Sequence, residues 1–471
     1  MTQPYLNAYK GTIAMAIIYQ TKRKTNAKRQ LKVEITALDH LGQGMARDRG
    51  RILFVPGALP QEVVQIQLSD SKKSFAKATL TTILTPSVYR QQPPCAHFDD
   101  CGGCQLQQAA PAQQLIWKQQ AVDQLLKHQL QMDELPWLPA IESPSEGYRR
   151  KARLGVWYQQ SRRQFQLGFR QQGDFRIQSV QDCLVLSPAI RPVFNRVTPV
   201  LKQLRQGRFI THLDVIDADG LAFIVVRHTE ALPPEDIEQL VACWPEAYWL
   251  GEAETGQFIA WQNGVQANAQ SNQGSNDSAM AYTLPDQQLK LQFAPDDFIQ
   301  VNAVVNQAMV NTALDWLDIQ PQDRVLDLYC GIGNFSLPLA QKAAHVVGVE
   351  GLERMVQRAA TNAKLSGLID VDFVQADLHL PWPKASWNQQ HYHKIVLDPA
   401  RAGAEGAIEQ LGALGAERVL YVSCNPETLA RDAVKLLAQG YVLTQIKAIE
   451  MFPHTRHLEV MALFCLQRKT S

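Results

Sequence analysis

The sequence contains no hydrophobic run that approaches the roughly 18 consecutive apolar residues needed to cross a bilayer. Its longest early apolar stretch, residues 13–19, is followed rather than preceded by basic residues, the reverse of a secretory signal. Cysteine is also sparse, with eight residues in a chain of 471, which excludes a small disulfide-stapled scaffold. We therefore expect a cytoplasmic protein in which clustered cysteines act as metal ligands or nucleophiles.

Net charge is nearly absent as well: 46 Lys and Arg residues against 45 Asp and Glu residues give a formal charge of +1. An even distribution of these charges would argue against a nucleic-acid partner, but the distribution is uneven. Residues 1–29 carry six basic side chains and no acidic one, whereas residues 228–289 carry no Lys or Arg. For the first segment we predict a disordered tail or a phosphate-binding arm, and for the second a surface facing away from nucleic acid.

A second basic segment, residues 148–170, contains seven Lys or Arg residues and five aromatic residues but no acidic residue. Basic side chains can contact phosphates, and aromatic rings can stack on unpaired bases. An ordinary β-hairpin with core aromatic residues and solvated arginines explains the same pattern equally well. The RNA-facing interpretation and the structural one therefore both stay open at this point.

Changes of pattern divide the rest of the chain into three predicted domains. Residues 30–90 contain short β-rich runs between glycine turns, which indicates a small OB-like barrel. Its stretch LDHLGQGMARDRGRILFVPGALPQE resembles the start of a TRAM domain, an RNA-binding barrel. Residues 91–290 are expected to form an α+β central domain with a flexible Gln/Asn/Ser-rich loop at 262–279. In residues 291–471 strands alternate with helices, which predicts an α/β, doubly wound Rossmann-like sheet.

A glycine loop follows the first strand of the C-terminal domain, in the stretch VLDLYCGIGNFSLPLA. Two glycines let the backbone approach a ligand there, but Ser336 stands where a dinucleotide-binding fingerprint has its third glycine. The next two strands end near Glu350 and Asp377, acids suited to ribose hydroxyls and to an adenine amino group, and Asp327 precedes the loop. Because no basic residue lies at the loop, we predict S-adenosylmethionine rather than a pyrophosphate cofactor. A Rossmann-like fold without a cofactor is the alternative.

Two short motifs end the fourth and fifth strands of the predicted sheet, where ligands collect in doubly wound folds. DPAR contains Asp398, and YVSCNP contains Cys424, which precedes a helix whose N-terminus would stabilise a thiolate. A thiolate beside a methyl donor suits methylation of uracil at carbon 5, because addition to carbon 6 makes carbon 5 nucleophilic.

The later stretch MFPHTRHLEVM contains Glu459, our candidate for the base that removes the carbon 5 proton. Apolar surroundings would raise the pKa of Glu459. An inert core cysteine and an ion-paired glutamate are the structural alternatives.

Four further cysteines form a separate group: Cys95, Cys101 and Cys104 lie in CAHFDDCGGC, and Cys183 lies far along the chain. Three thiolates in one loop, closed by a distant fourth, indicate a structural metal or iron–sulfur site. The Cys-x-x-Cys pair suits zinc equally well. The C-x3-C-x2-C spacing of radical enzymes is absent from this group, which argues against cleavage of S-adenosylmethionine there.

Together these stretches resemble the RNA uracil-5-methyltransferase family, and within it the iron–sulfur, TRAM-containing members that act on 23S ribosomal RNA. The resemblance begins at about residue 30 and includes GYRRKARL, LGFR, FIQVN, LDPARAG and YVSCNP. It implies a [4Fe-4S] cluster on the four clustered cysteines, with Cys424 as the nucleophile and Glu459 as the general base. It assigns contacts with S-adenosylmethionine to six residues, which are Gln300, Tyr329, Asn334, Glu350, Asp377 and Asp398.

The resemblance further implies a 23S ribosomal RNA partner with an unpaired or loop uridine as the target, and a monomer without an obligate protein partner. The extension 1–29 and the loop 262–279 have no counterpart in it. The same chemistry on transfer RNA is one alternative. Methylation of an RNA amino group is another, since DPAR occupies the place of the D-P-P-Y motif, but that reaction needs no covalent thiolate. The last alternative is a non-catalytic iron–sulfur protein that binds RNA.

Overall fold

The computed structural model describes residues 30–252, 256–262, 265–267, 280–382 and 384–467. The basic extension and residues 263–264 and 268–279 of the predicted Gln/Asn/Ser-rich loop lie outside these ranges, whereas Gln262 and residues 265–267 lie in paired strands rather than in a loop. The described strands form three large sheets and one two-stranded sheet. None of the helices within these ranges is both long enough and apolar enough to span a membrane.

The first sheet is the predicted N-terminal barrel. Its strands are β1 (Gln30–Glu34), β2 (Ala37–Leu38), β3 (Gly44–Asp48), β4 (Arg51–Val55), β5 (Val63–Ser71) and β6 (Phe75–Thr85). They lie in the order β1-β5-β6-β4-β3-β2, and β1 also contacts β3, so the sheet curls on itself. Alternate residues point inward, and Leu53 and Val55 of β4 pack against Val64 and Ile66 of β5 in a fully buried core.

The second large sheet forms the middle of the chain, after α1 (Pro111–Leu130) and β7 (Trp137–Ile141). Its strands and the helices on it are β8 (Lys151–Gln159), β9 (Gln164–Arg170), β10 (Ile177–Ser179), α2 (Val193–Leu201), β11 (Ile210–Ala218), β12 (Leu221–His228), α3 (Pro234–Cys243), β13 (Tyr248–Glu252), β14 (Ile259–Gln262) and β15 (Val265–Ala267). They are ordered β10-β9-β8-β11-β12-β13-β14-β15, and α2 and α3 share one apolar core with the sheet.

The basic and aromatic segment at residues 148–170 consists mainly of the β8–β9 hairpin, and at least one of its arginines is bound inside the protein. Arg150 is buried, donates to the carbonyl oxygen of Gln300 at 2.7 Å and stacks on the ring of Tyr282 at 4.3 Å. The structural interpretation expected solvated arginines and the other expected RNA contacts, so neither is correct for this arginine, which is a buried part of the fold. At the far end of β8, however, the side chain of Trp157 is 58% exposed. Contact of this part of the hairpin with RNA stays a prediction.

The third large sheet is the predicted Rossmann-like one. Its elements and those leading into it are β16 (Ala281–Leu284), β17 (Leu289–Gln292), α4 (Ala303–Leu317), β18 (Arg324–Leu328), α5 (Ser336–Ala340), β19 (His345–Glu350), α6 (Glu353–Leu365), β20 (Val371–Gln375), β21 (Lys394–Leu397), α7 (Glu405–Ile408), β22 (Arg418–Ser423), α8 (Pro426–Ala438), β23 (Tyr441–Ile449) and β24 (Glu459–Leu466). β16 and β17 form the separate two-stranded sheet.

Strand order in the third sheet creates the crevice for the site. The order is β20-β19-β18-β21-β22-β24-β23-β7, with parallel pairing from β20 to β22 and antiparallel pairing of β24 with both neighbours. The strand order reverses between β18 and β21, so the loops after these two strands diverge and leave a crevice at their carboxyl ends. The doubly wound sheet predicted from the sequence is confirmed, with one antiparallel strand, β24, in its second half.

Two elements that come before the Rossmann-like domain in sequence pack against its sheet. β7 pairs in parallel with β23 at the sheet edge, and α1 packs against α8. Val122 and Leu126 of α1 belong to the same buried cluster as the strands β21 and β22. The limits of the three domains stay a prediction, and this packing shows that residues before 290 help to build the C-terminal core.

Candidate active site

The glycine loop between β18 and α5 holds its shape through residues with left-handed backbone. Gly331 and Gly333 have φ angles of +57° and +95°, and Tyr329 has φ +64°. A Cβ at Gly333 would come 3.0 Å from the side chain of Leu337, so a larger residue would crowd the turn. Ser336, in the place of the third glycine, donates from its hydroxyl to Asp327 at 2.5 Å and ties the loop to β18.

One cavity of about 710 Å³ opens at the carboxyl ends of β18, β19, β21 and β22. Its walls contain all eight residues that the sequence assigned to cofactor binding and catalysis: Gln300, Tyr329, Asn334, Glu350, Asp377, Asp398, Cys424 and Glu459. Asp327 is different, because it is fully buried beneath the loop and does not line the cavity. Burial raises the pKa of Asp327 to about 7. In this structure Asp327 supports the loop through its hydrogen bond with Ser336.

The cofactor half of the cavity has acids held in fixed positions by backbone donors. Glu350 accepts from the backbone N–H of Gly331 at 3.2 Å and of Leu352 at 3.1 Å. Asp377 accepts from the backbone N–H of His379 at 2.9 Å. These two carboxylates lie at the carboxyl ends of the adjacent strands β19 and β20, where the sequence predicts contacts with the ribose and the adenine. The cavity volume also lies in the range typical of small-molecule sites, about 300–1,000 Å³. The residues present fit S-adenosylmethionine.

The catalytic half of the cavity brings Cys424 together with Asp398 and Glu459. Cys424 lies between the end of β22 and the start of α8, whose first turn is capped by Asn425 accepting from Glu427 N–H at 3.1 Å. Burial, and then the charges of Glu459 and Asp398, raise the pKa of the Cys424 thiol to about 11. The sequence led us to expect a stabilised thiolate at this helix N-terminus. That expectation is wrong for the protein without substrate, because burial and two carboxyl groups outweigh the helix.

Glu459 is the first residue of β24 and pairs with Ile449 of β23, so the sheet fixes its backbone. Its side chain is 5% exposed, and its Oε2 atom has no hydrogen-bond partner among the residues that the structure describes. Burial, followed by the charge of Asp398, raises the pKa of Glu459 to about 8. The raised pKa predicted from the apolar neighbours in the sequence is confirmed, and a glutamate of this kind can exchange a proton near neutral pH.

A second, smaller cavity of about 200 Å³ adjoins the first and shares three residues with it: Arg401, Cys424 and His457. The motifs DPAR and MFPHTRHLEVM contain Arg401 and His457, but the sequence did not single them out as site residues. Asp39 and His40 from the barrel line the second cavity, and His40 lies 3.2 Å from Glu427 at the start of α8. No local sequence pattern predicts that Asp39 and His40 lie near Cys424, because only folding of the chain brings the barrel to this cavity.

Replacing the buried carboxyl group of Asp398 gives a first testable consequence. Burial raises the pKa of Asp398 from 3.8 to about 7, so between these values the unfolded chain releases a proton that the folded chain retains. Stability therefore falls as the pH rises through this window. We expect Asp398→Asn to match the wild-type Tm near pH 4 and to exceed it at pH 7, by on the order of 2–4 kcal/mol in unfolding free energy.

Thermal unfolding followed by circular dichroism at several pH values measures this effect. Asp174→Asn is the control, because Asp174 is at the surface and Arg176 lowers its pKa, so no gain is expected there. An equal difference in Tm between Asp398→Asn and wild type at pH 4 and pH 7 would contradict a raised pKa of the buried Asp398.

The four clustered cysteines lie together at a separate cavity, whose walls also include Thr455. Cys95, Cys101, Cys104 and Cys183 are free thiols that line one cavity of about 150 Å³. Burial raises the pKa values of Cys104 to about 11 and of Cys183 to about 12, and neighbouring thiols of the group add to both shifts. No three of the potential ligands in the described ranges lie close enough together to hold a single metal ion. The structure thus brings the predicted ligands to one cavity, and their role stays a prediction.

Comparison with known proteins agrees with this geometry. The profile of the tRNA (Uracil-5-)-methyltransferase family matches residues 276–377 and 384–468, and the profile of the TRAM domain matches residues 25–81. The 23S rRNA (uracil(1939)-C(5))-methyltransferase RlmD of Vibrio cholerae O1 strain O395 is 43% identical over 451 residues, which cover 96% of this chain and 99% of that protein. The protein of the same name from Klebsiella pneumoniae strain 342 is 42% identical over 454 residues, with the same two coverages.

A solved structure shows the same fold. The tRNA (uracil-54, C5)-methyltransferase of Pyrococcus abyssi, in complex with S-adenosyl-L-homocysteine, superposes with a TM-score of 0.68. The match covers 92% of this chain and 100% of that one at 21% identity. The identity of 43% over almost the full chain confirms the resemblance seen in the sequence: the chain belongs to the RNA uracil-5-methyltransferase family.

Proposed function

We propose that the protein methylates carbon 5 of a uridine in 23S ribosomal RNA with S-adenosylmethionine as the methyl donor. The observation that carries this proposal is one cavity whose walls hold both the strand-end acids Glu350 and Asp377 and the catalytic set Cys424, Asp398 and Glu459. Relatives that act on 23S rRNA by name are 42–43% identical to the chain, which supports the choice of ribosomal over transfer RNA.

The reaction begins with addition of the Cys424 sulfur to carbon 6 of the uracil ring. This bond turns carbon 5 into the nucleophilic carbon of an enolate, which can take the electrophilic methyl group that S-adenosylmethionine supplies. Since the pKa of Cys424 is about 11, the thiol must lose its proton as the substrate enters, and a carboxyl group facing it must accept that proton. Asp398, with a pKa of about 7, is our candidate for this acceptor.

Glu459 completes the reaction. Once carbon 5 carries both the methyl group and its original proton, Glu459 removes that proton, the bond between carbon 6 and sulfur breaks, and the ring double bond is restored. The six cavity residues Gln300, Tyr329, Asn334, Glu350, Asp377 and Asp398 are proposed to hold the methyl donor. A duplex would shield carbon 5, so the target uridine must be unpaired or turned out of its stack to enter the cavity.

We also propose that the four clustered cysteines hold a [4Fe-4S] cluster. Four free, partly buried thiols around one cavity support this assignment, since thiolates are the ligands of such clusters. The cluster would fasten the loop of Cys95 to Cys104 to the segment before Cys183, far along the chain. A monomeric state without an obligate protein partner and a cytoplasmic location stay predictions.

Release of tritium from ribosomal RNA labelled at carbon 5 of uracil tests the proposed function. We expect release from 23S RNA that depends on S-adenosylmethionine, because methylation of carbon 5 displaces the hydrogen that it carries. Release from transfer RNA but not from 23S RNA would overturn the substrate. Methyl incorporation without any tritium release would favour methylation of a base amino group, which leaves carbon 5 untouched.

A further inference from the structure

The loop between β23 and β24 immediately precedes Glu459 and is held in an unfavourable conformation. His454 in this loop has φ +66°, a left-handed backbone that costs a residue with a side chain about 1–2 kcal/mol. Such a conformation persists only where surrounding contacts enforce it. The contacts that enforce it here come from outside the C-terminal Rossmann-like domain, from segments that precede residue 150.

Hydrogen bonds from two of these segments satisfy the backbone of His454. Gln114 of α1 accepts from the N–H of His454 at 2.9 Å, and its side-chain amide lies 3.1 Å from the Nδ1 atom of the same residue. The backbone N–H groups of Gln105 and Leu106 both donate to the His454 carbonyl oxygen at 2.9 Å. Tyr148 donates from its hydroxyl to the carbonyl oxygen of Pro453 at 3.0 Å.

Lys118, one turn after Gln114 on α1, makes the contacts nearest to Glu459. Its amine is buried and donates to Glu450 Oε1 at 2.5 Å and to the carbonyl oxygens of Thr455 and His457, each at 3.2 Å. The three donors of an ammonium group are thereby all used. One side chain connects both ends of the loop, because Glu450 directly follows β23 and His457 lies two residues before Glu459.

We propose that Lys118 is a positioning residue for the catalytic base: it fixes the loop from Glu450 to His457 and thereby sets the position of Glu459 in the cavity. The proposal rests on the assignment of Glu459 as the base under the proposed function. Lys118 also lines the smaller cavity that reaches Cys424 and His457, but it does not line the cavity of the methyl donor. Its loss should therefore affect proton removal from carbon 5 and leave binding of S-adenosylmethionine unchanged.

The test has to distinguish a role of Lys118 in positioning Glu459 from a role in the stability of the folded protein. Lys118→Met alone leaves Glu450 buried without its partner, which destabilises proteins by itself. The double variant Lys118→Met with Glu450→Gln removes both charges and keeps side chains of similar length. Lys127→Met is the matched control, since Lys127 lies on the same helix at the surface, paired with Asp123 at 3.0 Å. Each variant is compared with wild type in Tm, in Kd for S-adenosylmethionine, and in formation and decay of the covalent RNA adduct in a single turnover.

We expect the double variant to fold, to bind S-adenosylmethionine within twofold of wild type, and to resolve the adduct about 10–100-fold more slowly, because small displacements of a catalytic group carry penalties of this size. Adduct that survives denaturing electrophoresis should accumulate, and Lys127→Met should behave as wild type. Wild-type adduct decay in the double variant would overturn the proposal. So would failure of the double variant to fold, which would make Lys118 a structural residue.

Glu459→Gln, measured alongside, separates this proposal from the proposed function. If adduct accumulates in Glu459→Gln but not in the double variant, Lys118 has no positioning role and the base assignment stands. If no adduct accumulates in Glu459→Gln, the base assignment itself is wrong, whatever the double variant shows.

Discussion

Replacing Cys424 by alanine is expected to reduce methyl transfer by at least about 10⁴-fold, because the proposed reaction activates carbon 5 through addition of this thiol to carbon 6. Binding of S-adenosylmethionine should stay within twofold of wild type, since the strand-end acids Glu350 and Asp377 that face it are unaffected. The measurement is incorporation of a labelled methyl group into 23S RNA, together with equilibrium dialysis of the methyl donor. Loss of activity with intact donor binding would assign Cys424 to the chemical step.

A second cysteine of the same sheet supplies the control. Cys465 lies near the end of β24, with its sulfur 3.4 Å from the Thr444 hydroxyl, and it does not line the cavity. Cys465→Ala should retain wild-type methyl transfer. Retained activity in Cys424→Ala would rule out the covalent mechanism and would favour direct methylation of an amino group, the chemistry that needs no thiolate.

The strand ends of the C-terminal domain could be predicted from the sequence because their chemistry is local. A β-strand followed by glycines, or by DPAR or YVSCNP, carries its functional side chains within a few residues of the strand end. Parallel pairing then brings these ends to one edge of the sheet. For this reason Glu350, Asp377, Asp398 and Cys424 all line the cavity that the alternation of strands and helices predicts.

Contacts between distant segments could not be predicted in the same way. Nothing in the pattern of α1 indicates that Lys118 meets Glu450, because the pair joins residues 332 positions apart. The upward shift of the Cys424 pKa also depends on the folded chain, since burial causes most of it and the charges of Glu459 and Asp398 add to it. Local sequence suggested a stabilised thiolate, and the three-dimensional surroundings reverse that expectation.

The basic segment at residues 148–170 shows a further limit. Counting charges could not separate an RNA surface from a structural hairpin, because an arginine serves either purpose. The fold decides for Arg150, which is buried against Tyr282 and the Gln300 carbonyl, both of which belong to the walls of the cofactor cavity. Arg150, which the sequence suggested as a possible RNA contact, therefore packs against walls of the cavity proposed to hold the methyl donor.

Replacing Glu459 by glutamine is expected to trap the enzyme on its RNA. Glutamine has the size of glutamate but cannot accept the carbon 5 proton, so the adduct forms, is methylated and then does not decay. The substitution also removes a carboxyl group whose charge raises the pKa of Cys424. We therefore do not expect it to slow the addition of the Cys424 sulfur to carbon 6. We expect turnover to fall by roughly 10²–10⁴-fold, the usual contribution of general base catalysis, while covalent protein–RNA complex accumulates.

Glu409→Gln is the control for this substitution, since Glu409 is an exposed glutamate paired with Lys435 at 2.8 Å. It should turn over as wild type and accumulate no adduct. A Glu459→Gln protein that binds RNA reversibly, without any complex stable to denaturation, would contradict the assignment of Glu459 as the base.

The pH dependence of adduct decay gives an independent check on the same residue. Glu459 acts as a base only when ionised, and its pKa is raised to about 8, so the ionised fraction in the free protein grows as the pH rises towards that value. Adduct decay in wild type should accelerate about tenfold per pH unit below 8 and level off above it. Because glutamine does not titrate, the slow decay in Glu459→Gln should lack this rise. A rise of equal steepness in both proteins would place the titrating group elsewhere in the cavity, with Asp398 the first candidate.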